Sequence, residues 1–251
     1  MVLCGGRCRL LYRLLLRKDC DLLQEQEKAI KAEYIDHMGS DARVVDAARV
    51  SFSKIAENYS DDQNGKLIRY LANHGHFTPF THPQITLRET VPIFVARQRF
   101  KHKIGFEYNE VSRRYVDDTP EFYTPETWRG RPEGSLKQGS SDEEITFLRY
   151  QGFLEQTVQD GYELLLEHAE LLYKDMLSAG VAPEQARMVL PQSMYTSYYV
   201  TGSLAAFARA FSLRSDPHAQ LEIQELATQW DEIIKPLFPV SWIYLTRSGD
   251  Y

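Results

Sequence analysis

Residues 84–91, Gln84-Ile85-Thr86-Leu87-Arg88-Glu89-Thr90-Val91, alternate well enough to form a strand, with Ile85, Leu87 and Thr90 as β-formers. Pro92 follows, and its fixed φ suits the first turn of a helix, expected from Ile93 to about His102. A second strand is read at Met194 to Thr201, rich in tyrosine and β-formers. Between them, Phe147, Leu154, Val158, Tyr162, Leu165, Ala169, Leu172 and Met176 recur at helical spacing, and Gly180 sits where a C-cap belongs. Pro183 opens a further helix carrying Glu184 and Arg187, which Pro191 ends. Leu204 to Leu213 reads as helix, and Pro217 to Lys235 as a last long helix stopped by Pro236 and Pro239. Upstream, Leu67, Ile68 and Leu71 mark a short helix ending near His74-Gly75, and Tyr123 to Asp142 has the composition of a loop. Helices with few strands and no regular βαβ alternation give an α+β class, an antiparallel sheet flanked by helices.

A chain of 251 residues with 43% hydrophobic residues can bury a core of its own. The net charge of -6 argues against a protein that coats nucleic acid non-specifically. Cys4, Cys8 and Cys20 are the only cysteines, an odd number that fits a reducing cytoplasm better than a disulfide scaffold. The body of the chain therefore holds no cysteine nucleophile. Residues 1–30, basic and leucine-rich, read as an extension, with a signal peptide or membrane-surface helix as the alternative, and 31–251 as the functional domain. No apolar run is long enough to span a bilayer. Neither GxGxxG nor GxxxxGK[ST] is present, so a nucleotide must be held by other means.

Such means are concentrated in residues 97–115. Arg97, Arg99, Lys101, Lys103, Arg113 and Arg114 are opposed there only by Glu107 and Glu110. Arginine offers a planar fork to phosphate and lysine a point charge, while Asn109, Glu110 and Ser112 add amide, acceptor and hydroxyl groups suited to a base and sugar. A solvated basic helix and a nucleic-acid patch are the alternatives for the same residues.

The segment resembles the signature of the flavin-dependent thymidylate synthases: Arg-His-Arg, seven residues, then Ser, with Asn-Glu before that Ser and Arg-Tyr after it. Here it reads Lys101-His102-Lys103 and then Asn109-Glu110-Val111-Ser112-Arg113-Arg114-Tyr115, with lysines at both flanks and eight residues before Ser112. Ala47 to Phe52, His74 to His82, Pro92 to Gln98, Ala186 to Pro191 and Leu213 to Ile223 are similar to further blocks of that family, over about residues 33–245.

The resemblance implies an FAD enzyme that methylates dUMP to dTMP with 5,10-methylenetetrahydrofolate and NADPH. It also implies a homotetramer with active sites between subunits. It places Ser51, His76, Thr78, Lys101, His102, Lys103, Ile104, Asn109 and Glu110 at FAD, with Ser203, Leu204, Ala205 and Arg209 in a region against the flavin. It places Gln98, Arg99, Lys101, Glu110, Ser112, Arg113, Arg114, Arg187 and Arg214 at dUMP. Uracil C5 must become electron-rich before methylation; without a cysteine to add at C6, a guanidinium at Arg214 against N3 and O2 would stabilise the ionised ring. His218 reads either as a flavin neighbour or as a structural histidine. Ser112 has no evident His–Asp pair, which favours a substrate contact over a nucleophile.

Two readings from other classes stand beside this one. The basic segment could serve a nucleic-acid-binding module. His74, His76 and His82 could serve a metal-dependent nucleotide hydrolase, although they lack the carboxylate and cysteine partners of a zinc set, so no metal ligand is assigned.

Overall fold

The computed structural model describes residues 29–115, 118–132, 139–149 and 155–246. The expected extension, its three cysteines included, lies outside the described residues apart from Ala29 and Ile30. Among the described residues no helix is long and apolar enough to cross a membrane.

The centre is an antiparallel sheet of four strands in the order β1 (Lys31–Met38), β2 (Gln84–Pro92), β6 (Tyr195–Ser203) and β3 (Phe106–Glu110). Strands β2 and β6 pair along their whole length, from Gln84 against Ser203 to Pro92 against Tyr195. The alternation of β2 does what its period requires. Ile85, Leu87 and Val91 are buried in the core, and Thr86, Arg88 and Thr90 turn to the other face. Glu89 breaks the chemistry but not the phase, for it is fully buried with the apolar set. A separate hairpin is formed by β4 (Phe147–Arg149) and β5 (Glu155–Thr157).

Eight helices are described: α1 (Asp41–Arg49), α2 (Asp61–Asn73), α3 (Ile93–Arg99), α4 (Val158–Ser178), α5 (Pro183–Ala186), α6 (Leu204–Arg214), α7 (Leu221–Leu237) and α8 (Pro239–Thr246). Ser60 and Gln63 form a capping box at the start of α2, and the hydroxyls of Thr157 and Ser203 cap α4 and α6. The core face of the sheet is covered by apolar side chains of α6, α7 and α8, among them Phe207, Trp230 and Trp242. The carboxylate of Asp41 accepts from the backbone N–H of Val240 (2.8 Å) and Ser241 (2.9 Å), so α1 supplies the cap for α8. The Gln229 amide bonds Ala32 N and Ile30 O, tying β1 to α7.

The α+β class and the flanked antiparallel sheet stand as read, while several boundaries move. The helix after Pro92 ends at Arg99, because the chain turns there towards Gly105, whose φ of +79° belongs to glycine. The long helix begins only at Val158: Phe147 is in β4, and Leu154 lies outside the described residues. Asp216 accepts the N–H of His218 in a turn, which delays the last long helix from Pro217 to Leu221. That helix runs through Pro236 to Leu237, since a proline in the final turn forfeits a single ladder bond.

Candidate functional site

Local chain geometry first gathers one group of candidate residues at the end of α3. A helix leaves its last carbonyls without intrahelical partners; here the backbone N–H groups of Lys101 and His102 reach Gln98 O and Arg99 O, and side chains add to them. The Arg214 Nη2 donates to Gln98 O (3.4 Å), the Tyr108 hydroxyl lies against Arg99 O (3.2 Å) and His102 O (2.8 Å), and Arg209 Nη2 donates to Ile104 O (2.6 Å). The turn from Gln98 to Ile104 is thereby held from both sides. Lys101, Lys103 and Ile104 project into solvent, Ile104 being 77% exposed. Gln98 is half-buried and donates to Gln220 (2.6 Å).

His102 is buried at 8% exposure and accepts the Arg214 Nε–H on Nε2 (2.9 Å). That bond needs a lone pair on Nε2 and so places the proton of the neutral ring on Nδ1. Burial, then the charges of Arg214, Arg99 and Arg209, depress its pKa to about 4. The same burial, with Arg99 nearby, lowers Arg214. The sign of the pH effect follows: between pH 6.5 and about 4 the unfolded chain binds the His102 proton and the folded one does not, so this histidine removes stability as pH falls through that window. In a titration followed by NMR, the His102 ring is expected to remain neutral until about pH 4. A midpoint near 6.5 would contradict the buried hydrogen bond.

Arg99 is corrected by the structure. It is fully buried, its Nε donates to Glu89 Oε2 (3.1 Å), its Nη1 donates to the Tyr108 hydroxyl (2.7 Å), and its guanidinium lies over Phe106 and Trp230. A guanidinium enclosed in this way cannot meet a nucleotide. Ser203 is corrected for a similar reason: it is 5% exposed, with its hydroxyl accepting from Ala206 N. Leu204 is buried beside it.

A second group meets in an open cleft of about 690 Å³ at the Thr90 end of β2. Glu110, Ser112, Arg113 and Arg114, at the end of β3 and just beyond it, form one wall; Glu184, Arg187 and Met188 form another, with Thr90 and Ser197 beneath. Arg88, Arg113, Arg114 and Arg187 face Glu110, Asp118 and Glu184 in the lining, four cations against three carboxylates, so the cleft favours an anion. Asp118 engages Arg113 (2.7 Å), and the Glu110 carboxylate accepts from the Thr196 hydroxyl (2.7 Å). The Ser112 hydroxyl accepts from Arg114 Nε (3.3 Å). Arg88 was not singled out from the sequence, although its outward phase in the alternation of β2 could have marked it. Gln98, Arg99, Lys101 and Arg214 do not line this cleft.

The remaining candidates lie elsewhere on the surface. Ser51 is exposed in the turn after α1, beside Phe52 at 73% exposure. Thr78 begins a short turn that packs against α1 and α6, with His76 and Phe77 exposed before it. Asn109 is exposed on β3, Arg209 and the half-exposed Ala205 are on α6, and His218 is engaged with Asp216. His74 stacks on Tyr70 at 4.1 Å, and its Nδ1 lies 2.8 Å from Tyr70 O. Among the described residues no group of three or more His, Cys, Asp or Glu could hold a metal ion.

Comparison with known proteins follows the same outline. A family model described as "Thymidylate synthase complementing protein" matches residues 33–240. A flavin-dependent thymidylate synthase of Thermosipho africanus is 41% identical over 206 residues, 82% of this chain and 86% of that protein. That of Thermus thermophilus is 37% identical over 212 residues, 83% of this chain and 72% of its own. Among solved structures, a UMP/dUMP methylase, PolB from Streptomyces cacaoi bound with 5-Br dUMP, superposes with a TM-score of 0.73 at 30% identity. That match covers 89% of this chain and 97% of the other.

Proposed function

Since the chain belongs to the flavin-dependent thymidylate synthase family, we propose that it methylates dUMP to dTMP, with FAD as cofactor and 5,10-methylenetetrahydrofolate and NADPH as co-substrates. The observation that carries the reading is the cleft that brings Ser112, Arg113, Arg114 and Arg187 together from separate segments. Its cations suit the phosphate of dUMP, and the Ser112 hydroxyl and Glu110 suit its sugar and base. Neither the nucleic-acid-binding nor the metal-hydrolase reading is favoured by the family match.

Ser51, His76, Thr78, Lys101, His102, Lys103, Ile104, Asn109, Glu110, Arg209 and His218 are the residues we assign to FAD. When bound and reduced by NADPH, the flavin would supply a hydride to the pyrimidine, so that no enzyme thiol is needed. Arg214 has two of its five N–H donors committed, to His102 and Gln98, and the others are suited to uracil N3 and O2. A fixed cation there stabilises negative charge on the ring as C5 becomes nucleophilic. Because Arg214 lies outside the cleft of its own chain, we assign completion of the site to a neighbouring copy in a homotetramer. We place the enzyme in the cytoplasm, where a reducing milieu keeps NADPH available.

The test is an absorbance spectrum of the purified protein, followed through turnover. A flavin band is expected, bleached on adding NADPH with dUMP, and dTMP is expected only when the folate is also present. A protein that carries no flavin after incubation with FAD and removal of the unbound excess would overturn the reading.

A further inference from the structure

We infer that Glu89, Arg99 and Tyr108 form a positioning network that holds the Gln98–Ile104 turn and, through His102, sets the direction in which the Arg214 guanidinium points. The inference rests on the role proposed above for Arg214. It concerns how that role is prepared rather than what the reaction is.

Glu89 occupies a core position in an apolar alternation, and Arg99 is likewise fully buried, the two joined at 3.1 Å. A buried ion pair is poor evidence of stability, because apolar side chains of the same volume commonly serve as well or better. Trp230 Nε1 spends its donor on Glu89 Oε1 (2.9 Å), while Arg99 Nη2 is buried with no partner, so the pair is not even fully satisfied. What the pair does provide is direction. Arg99 Nη1 donates to the Tyr108 hydroxyl, whose oxygen is in turn 2.8 Å from His102 O and 3.2 Å from Arg99 O. Tyr108 has one proton to give, and with its oxygen accepting from Arg99 that proton is aimed at the turn. Burial pushes the Tyr108 hydroxyl up to about 12, so the proton stays on it at neutral pH.

The second half of the chain of contacts is the His102 ring. With its backbone carbonyl fixed from inside, the ring presents Nε2 to Arg214 Nε, while Gln98 O takes the Nη2 of the same arginine. Two acceptors at set positions fix the plane of a guanidinium, which one alone cannot. The charged groups facing the ring are Arg99 on α3 and Arg209 and Arg214 on α6.

Tyr108→Phe removes the hydroxyl and keeps the ring, which packs on Phe100 and Phe106. We expect kcat for dTMP formation, measured at saturating FAD, to fall about 10- to 100-fold, with the KM for dUMP within about twofold of the parent, the pattern of misplaced rather than missing groups. In the same protein without ligands, the Arg214 Nε–H resonance, protected in the parent by His102, is expected to exchange faster with solvent. Folded fraction is measured alongside. Parental kcat with unchanged exchange overturns the inference, as does a loss of activity matched by an equal loss of folded protein. If the parent itself makes no dTMP, the functional reading fails, while the exchange measurement still decides whether the network holds Arg214.

Discussion

Arg214→Ala is expected to lower dTMP formation at least about a hundredfold while FAD remains bound. The magnitude is that of removing one preorganised donor from a site where charge develops. The residue stands at the C-terminus of α6, half-buried, with its fork divided between His102 and Gln98 O. Its loss should fall on kcat, since the phosphate of dUMP is assigned to Arg113, Arg114 and Arg187 in a cleft that Arg214 does not line. Arg214→Lys separates charge from geometry: it keeps a cation but cannot serve both acceptors and a ring edge in one plane, so it should restore little. Turnover near that of the parent in Arg214→Ala, measured with flavin content confirmed by absorbance, would remove the residue from the mechanism.

The largest effect on stability is expected from Arg99→Met alone. It strands the Glu89 carboxylate at zero exposure with Trp230 Nε1, the nearby Tyr198 hydroxyl and the surrounding apolar side chains, at a cost of about 3–5 kcal/mol. Adding Glu89→Leu should recover most of the loss, because the second change removes the uncompensated charge. Urea unfolding of the parent, the single and the double variant reads this directly through the midpoint. A double variant no better than Arg99→Met would mean that the pair is not the source of the cost.

The parts of the fold that could be read from sequence are those where a buried face imposes a period. Strand β2 was legible because its apolar residues alternate, and helix α6 because a nearly unbroken run rich in alanine, too long for a strand, is buried almost all round. Strand β1 was not, since as an edge strand it is largely exposed and carries little alternation; β3 was obscured by the charges of the segment around it. Of the site, the residues beyond β3 and Arg187 could be named, yet the pattern did not distinguish a cation that faces a cleft from one that is enclosed. Arg99 is the instance: Arg97 and Lys101, two positions to either side, are basic and exposed, and the three-dimensional position of Glu89 reveals its use. A carboxylate in the apolar phase of β2 was the available sign. Helix ends were misread where the chain leaves the helix in a turn, as at Arg99, where the N–H groups of Lys101 and His102 fold back, and at Pro217, where Asp216 takes the N–H of His218.

The carboxylate of Asp41 and the first N–H groups of α8 are separated by about 200 positions along the chain. A ribosome therefore releases the acceptor long before it makes the donors, and helix α1 must wait with its acid solvated by water. The same delay applies to β1, whose partner amide at Gln229 also comes late. Pairing of β2 with β6 spans about half that interval, so local helices can form early, the central sheet closes later, and the cap of α8 by α1 comes later still.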